Sequence, residues 1–301
     1  MEGLSATNRL LDAAKKNMPD CIIRDKLYRI ALTEKNALQL KLTAELHPEF
    51  AKWIDPGPLE EQTGTASLGG ILLSNGCQVI HVPSYLKGLW NACEELYPDK
   101  THWSIDESDS IDWKEKLADF DSVVFSAGSG LFHDCILCKE PSDFSVELVR
   151  GQSVEMMLDD DHKADHPNEP ILCGKYILPM SKPNQILIGA THEYLSESFD
   201  KEQVIEELKS RSYDISPFVW DNGTVTRITS GYRVQSRRGP LGRMPIIGKH
   251  CGVHDNAYLF TGLSARGLMY HGIYGDILSS IIVAKDEKVI MDEYPDLIWW
   301  K

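Results

Sequence analysis

Apolar residues recur with a helical period at several points along the chain. Leu4, Leu10, Leu11 and Ala14 fall near one face, which predicts a helix over residues 1–16. A strand is expected within 21–30, then a helix over 34–46 stopped by His47-Pro48. Residues 55–64, with Pro56, Gly57, Pro58 and Gly64, read as a loop. The run from Gly69 to Gly76 reads as a strand closing on an Asn75-Gly76 turn. The clearest amphipathic stretch is 83–97. Leu86, Leu89, Trp90, Cys93, Leu96 and Tyr97 form its expected inward face, and Pro83 suits its first turn.

Val123-Val124-Phe125 is a short continuous apolar run, expected as a strand buried on both faces of a parallel sheet. Alternating runs follow at 153–158, 175–178, 185–188 and 225–229. A helix over 201–211 interrupts them, and Asn222-Gly223-Thr224 reads as a hairpin turn. Tyr258-Leu259-Phe260 is expected as a strand. The helix after it, Gly267 to Val283, turns Ile273, Ile277, Leu278, Ile281 and Ile282 inward. The order predicts an α/β + β protein. Residues 77–145 and 229–301 form a doubly wound frame, 146–228 an inserted, mainly antiparallel β domain, and 1–76 contributes to both.

Composition narrows what such a fold does. The 301 residues carry 31 Lys and Arg against 45 Asp and Glu, a net charge of −14. That balance argues against direct nucleic-acid binding and against an anionic membrane surface. No stretch approaches the ~20 apolar residues of a spanning helix. Seven scattered cysteines, an odd number, fit a reducing compartment, and a cytoplasmic location is expected. Cys135-x-x-Cys138 beside His133 reads as ordinary cysteines. Asp159-Asp160-Asp161-His162 with Asp165 and His166 reads as a solvated loop, so no metal is expected. Trp299-Trp300 reads as packing.

Four segments are candidates for chemistry. The strongest joins a strand to a helix through Thr261-Gly262-Leu263-Ser264-Ala265-Arg266-Gly267-Leu268. A helix start offers unpaired N–H groups and a partial positive charge, although such a turn is more often only a tight connection. Arg233, at the end of a β-like run, suits a carboxylate held by two parallel hydrogen bonds. Taken alone, it reads better as a surface ion pair. Ala127-Gly128 after the apolar run, and Arg150-Gly151-Gln152 leading into the β region, are unspecific by themselves.

In this order, with Ile188-Gly189-Ala190-Thr191 and Pro245-Ile246-Ile247-Gly248, these segments resemble one family. It is the FAD-dependent oxidoreductases of the D-amino-acid oxidase, glycine oxidase and sarcosine oxidase group. The form is similar to the C-terminal oxidoreductase part of MnmC, a bifunctional tRNA-wobble-modification enzyme. The resemblance runs from about residue 1 to 284. It implies an FAD-binding, Rossmann-like domain and a β domain that covers the flavin's reactive face. It implies oxidation of a C–N bond in a small amine or amino acid by hydride transfer to flavin N5. It assigns the substrate to Arg233 and Tyr176, and FAD to Ala127, Gly128, Gly262, Leu263, Ser264, Ala265, Arg266, Gly267 and Leu268.

Two departures qualify it. The family's Gly-x-Gly-x-x-Gly occurs nowhere in the 301 residues, so the FAD-binding domain is expected to be incomplete and FAD binding weak. The run from Val234 to Met244 is longer and more basic than in the family, which leaves the substrate open. A catalytically silent protein acting through protein contacts is the competing reading. An enzyme of modified tRNA is a third, and the acidic charge counts against it.

Overall fold

The computed structural model describes residues 2–105, 117–133, 144–159, 169–194, 199–250, 255–291 and 293–300. The first helix, α1 (Glu2–Asn17), turns Ala6, Thr7, Leu11 and Ala14 inward. The strand expected within 21–30 is two: β1 (Ile22–Arg24) and β2 (Leu27–Ile30). Helix α2 (Glu34–Leu46) is capped by Thr33, whose hydroxyl accepts from the Asn36 N–H. After β3 (Ala51–Ile54), the expected loop is instead a helix, α3 (Pro56–Thr63). The same residues account for it. Proline is tolerated in a first turn, where its missing N–H is not needed, and Gly64 closes the helix at φ 67°. Leu59, fully buried, ties this helix to the core.

Strands β4 (Gly70–Leu73) and β5 (Val79–Ile80) precede α4 (Val82–Leu96), the amphipathic helix. It forms where expected but turns a different face inward. Ser84, Tyr85 and Gly88 are buried, whereas Leu86, Leu96 and Tyr97 are 58%, 71% and 59% exposed. Gly88 explains this. A Cβ there would lie 2.6 Å from the Ala14 carbonyl oxygen, so α1 and α4 meet nearly backbone to backbone. A seam of small residues, with the Tyr85 hydroxyl 2.6 Å from His271 Nε2, outweighs the leucine stripe.

The rest of the chain supplies β6 (Val123–Phe125), α5 (Gly130–His133), β7 (Val146–Leu158), β8 (Ile171–Cys173) and β9 (Lys175–Pro179). Then come β10 (Gln185–Gly189), β11 (Glu193–Tyr194), α6 (Lys201–Ser212), α7 (Pro217–Asn222) and β12 (Gly223–Ser236). The last elements are β13 (Ile246–Lys249), β14 (Ala257–Thr261), α8 (Gly267–Ala284) and α9 (Lys288–Met291). Asn222-Gly223-Thr224 is therefore not a hairpin turn. It joins α7 to β12, because Pro217 starts a helix that buries Val219 and Trp220. Within β6 only Phe125 is buried, and Val124 is 41% exposed, so this strand is not covered on both faces.

A nine-stranded sheet runs β11-β7-β10-β9-β8-β2-β4-β3, with β12 also paired to β7. It is antiparallel except where β2 meets β8. One face is apolar: Val154, Met156, Ile177, Ile186 and Ile188 pack with Val204, Leu208, Val219 and Trp220 of α6 and α7. A smaller sheet, β13-β14-β6, carries α8 through Ile277, Leu278 and Ile281, which pack on Ile247 and Tyr258. Trp299 and Trp300 seal its edge, donating to the carbonyls of Pro245 and Ile247, which fits their reading as packing residues. Among the described residues no helix is long and apolar enough to cross a membrane.

Candidate active site

Side chains alternate across a strand, so register decides what shares a face. Gly151 pairs with Gly231, and Ser153 with both Thr229 and Gly189. Gly189 also pairs with Tyr176, and Arg233 with Val149. Arg233, Gly151, Ser153, Gly189 and Tyr176 therefore stand on one face, opposite the apolar side of Val154 and Ile188. Two glycines make room on it. A Cβ on Gly151 would lie 2.7 Å from Arg233 Nη2, so the guanidinium crosses β7 where no side chain stands. A Cβ on Gly189 would collide with Ser153 Oγ and the Tyr176 hydroxyl, which are hydrogen-bonded at 2.8 Å.

A buried polar cluster supports this face. Glu193 is fully buried and accepts from Thr191 Oγ1, from Gln152 Nε2 at 3.0 Å and from the Phe199 N–H at 3.1 Å. Arg150 Nη1 lies 3.9 Å away. Burial alone would raise the Glu193 carboxyl, but these donors and the Arg150 charge outweigh it and hold it below the usual range. The cluster fixes the turn after β10 and thereby His192. The His192 ring is kept neutral by burial and by the nearby charges of Arg233, Arg243 and Lys175. Its Nδ1 lies 3.3 Å from Arg233 Nη1 and its Nε2 3.2 Å from the Tyr194 hydroxyl. Arg233 donates to Nδ1, so the ring proton sits on Nε2.

A cleft of about 610 Å³ runs along these residues, lined by Lys175, Tyr176, His192, Arg211, Arg233 and Ala265 among others. Ala265 belongs to the loop that opens α8, and it also borders an adjoining pocket with Arg238, Arg243 and Arg266. The loop is suited to a polar ligand. Gly262 (φ 74°) and Ser264 (φ 55°) take left-handed conformations that bend the chain into the helix start. No side chain caps the first turn of α8. Ser264 Oγ is buried with no hydrogen-bond partner among the described residues, as are Gln235 Nε2, Ser236 Oγ and Thr261 Oγ1 nearby. Leu263 bridges to Gln235, which docks the loop on the end of β12. Arg266 is held by Tyr270, its Nη1 3.2 Å from the hydroxyl.

Among the expected site residues, Arg233, Tyr176 and Ala265 line one cleft. Leu263, Ser264 and Arg266 line the adjoining pocket, and Gly262 and Gly267 shape the turn. The Leu268 carbonyl accepts from Thr7 of α1 instead. Ala127 and Gly128 lie off the cleft. They leave β6 at the same end as Gly262 leaves β14, because the two strands are parallel. In open α/β sheets that end is where ligands gather. Lys175, His192 and Arg211 were not anticipated. Only β pairing and the position of α6 bring them in, and no local motif marks them. Among the described residues there is no cluster of metal-ligand type, and Cys21, Cys77, Cys93 and Cys173 are free thiols. Cys135, Cys138 and residues 160–166 lie outside the described residues.

The fold is a mixed α/β frame in which a glycine-turn helix start lies beside a β-sheet cleft. The chain matches the model of the DAO family, FAD dependent oxidoreductase, over residues 3–281, and it belongs to that family. Its fold is shared with glycine oxidase from Bacillus cereus, at a TM-score of 0.69 and 17% identity, covering 97% of this chain and 81% of that one. L-proline dehydrogenase from P. horikoshii gives 0.64 at 11% identity, covering 94% and 79%. A modified fructosyl peptide oxidase from Aspergillus nidulans gives 0.68 at 11%, covering 96% and 78%. A search of curated protein sequences finds no match. The protein is thus an FAD-dependent oxidoreductase. The orphaned Ser264 Oγ, the uncapped helix start and the turn at Gly262 fit the polar edge of a bound flavin.

Proposed function

We propose that this chain oxidises the C–N bond of a small amine or amino acid bearing a carboxylate. The observation that carries this is Arg233. Its guanidinium lies over Gly151, beside Tyr176 and the neutral His192, and no carboxylate lines the cleft among the described residues. Similar structures named for glycine, L-proline and fructosyl peptide oxidation support an amino-acid-like substrate.

FAD, when bound, supplies the acceptor for the hydride leaving the carbon next to nitrogen. The chain's own residues bind and orient. Arg233 clamps the carboxylate with two N–H groups, and His192, accepting from Nη1, keeps the guanidinium in plane. The Tyr176 hydroxyl, held by Ser153, borders the same cleft and limits how the substrate turns. Gly262 to Leu268 and the start of α8 hold the ring edge. The positive end of the helix start and the Arg266 charge would favour a negative charge there. Ala127 and Gly128 border the cofactor from β6.

The test is Arg233→Leu, assayed on N-methylglycine with added FAD and an artificial electron acceptor. A lost charge-assisted pair is worth about 2–3 kcal/mol, so KM is expected to rise about 30- to 160-fold, with a smaller change in kcat. An unchanged KM would make Arg233 structural and sink the proposal.

A further inference from the structure

We propose that the substrate is a dicarboxylic amine, its second carboxylate bound by Arg211. This rests on the reading of Arg233 as the clamp for the first. The cleft lining includes the turn of the β8–β9 hairpin, Cys173 to Lys175. On one side stand Arg233 and Tyr176. On the other, facing α6, stand Lys175 and Arg211. Its lining holds three cations and no carboxylate among the described residues.

Among the described residues, the acid paired with Lys175 and Arg211 is Glu207, behind the lining. Its Oε1 lies 2.9 Å from Arg211 Nε and 3.6 Å from Lys175 Nζ. Among the described residues, one carboxylate therefore pairs with two of the three cations, and two positive charges of the lining remain unmatched. His192, held neutral, adds none. With the amine nitrogen bound neutral, as its oxidation requires, a monocarboxylate leaves one charge over, a dicarboxylate closes the balance, and a substrate carrying both carboxylate and phosphate overshoots it.

Geometry selects Arg211 over Lys175 as the second partner. Lys175 is buried and already engaged: Nζ donates to the Ala190 carbonyl at 2.6 Å. Arg211 gives only Nε to Glu207, and its side chain is 64% exposed. That leaves the edge formed by its two terminal nitrogens, whose parallel N–H groups can hold a carboxylate. In a protein of net charge −14, such a cleft is a local exception, and it draws dianions towards itself.

The experiment is calorimetric titration of the purified full chain with glutarate and with butyrate, acids of similar length and different charge. Glutarate is expected to bind about fivefold tighter, the ratio of a half-exposed ion pair. Arg211→Gln should bring the two to near parity and leave butyrate unchanged. Arg211→Lys should keep part of the preference. Arg233→Leu should weaken both acids. No glutarate preference in the wild type, or a preference that survives in Arg211→Gln, overturns the second subsite. Butyrate binding that is indifferent to Arg233→Leu overturns the clamp instead, so the two failures are distinct.

Discussion

The two walls of the cleft satisfy their polar groups in different ways. Behind the sheet wall, the buried Glu193 collects donors from Thr191, Gln152 and Phe199 with Arg150 close by. Where the loop docks on the end of β12, Ser264 Oγ, Gln235 Nε2, Ser236 Oγ and Thr261 Oγ1 are buried with no partner among the described residues, whereas in the Glu193 cluster Arg150 Nε alone is. An unpaired buried polar atom costs about 1–3 kcal/mol. The sheet wall thus holds its own shape, whatever binds. The loop wall keeps polar atoms that no described residue pairs with, as a surface made for a cofactor would.

Breaking the sheet wall should have the largest effect. Glu193→Gln places an amide among donors and removes the charge opposite Arg150. We expect it to lower stability by ~2 kcal/mol at neutral pH. The pH dependence checks the cause. The folded carboxyl is held below its ordinary value, so its contribution is complete above the unfolded pKa, about 4.3. It is lost as pH falls through the lower folded value. The gap between the wild type and Glu193→Gln in urea melts should therefore begin to close as pH falls below about 4.3 and vanish only below the folded value. A stability gap that stays constant down to pH 3 would separate the cluster's role from its charge.

Gly151→Ala sharpens the comparison at the point where support becomes function. The added methyl meets only the far end of Arg233, a flexible group that moves at little cost to the fold. Stability should change by less than about 0.5 kcal/mol. Displacing the guanidinium should still raise KM for a carboxylate amine about tenfold, because orientation errors of this size are costly in a binding site. A Tm shift without a KM shift would reverse the roles given to these two residues.

These contrasts also show what was legible before folding. The loop from Gly262 to Leu268 could be read because strand, glycine turn and helix start follow one another within a dozen residues. Arg233 and Tyr176 came from family resemblance, and register then placed them on one face. Lys175, His192 and Arg211 were not legible. They are distant in sequence, and they meet only because Gly189 lies between Ser153 and Tyr176 in the sheet and α6 crosses behind. The face of α4 was misread for a related reason. Apolar periodicity pointed to Leu86 and Leu96, but the contact that forms depends on Gly88 fitting the backbone of α1 at Ala14, and hydropathy carries no signal of close approach. At α3, Pro56 and Gly64 signalled a loop by composition, whereas their positions at the two ends signalled a helix.

The smallest expected effect tests the loop wall. If the Ser264 hydroxyl is oriented for flavin, Ser264→Ala should act with opposite sign on two measurements. Without FAD, removing an unpaired buried hydroxyl relieves a penalty, so the melting temperature should hold or rise, by no more than about 1 kcal/mol in stability. Alanine inherits the same left-handed backbone as serine at φ 55°, so the conformational cost cancels. With FAD, one neutral hydrogen bond is lost. The dissociation constant, read by quenching of flavin fluorescence, should rise about threefold. A structural serine would lower stability and leave FAD affinity alone, and a drop in the unliganded melting temperature would give that answer. The sheet wall cannot produce the opposed signs, because every acceptor of Glu193 already faces a protein donor. That difference makes the small effect at Ser264 more diagnostic of a cofactor surface than the larger one at Glu193.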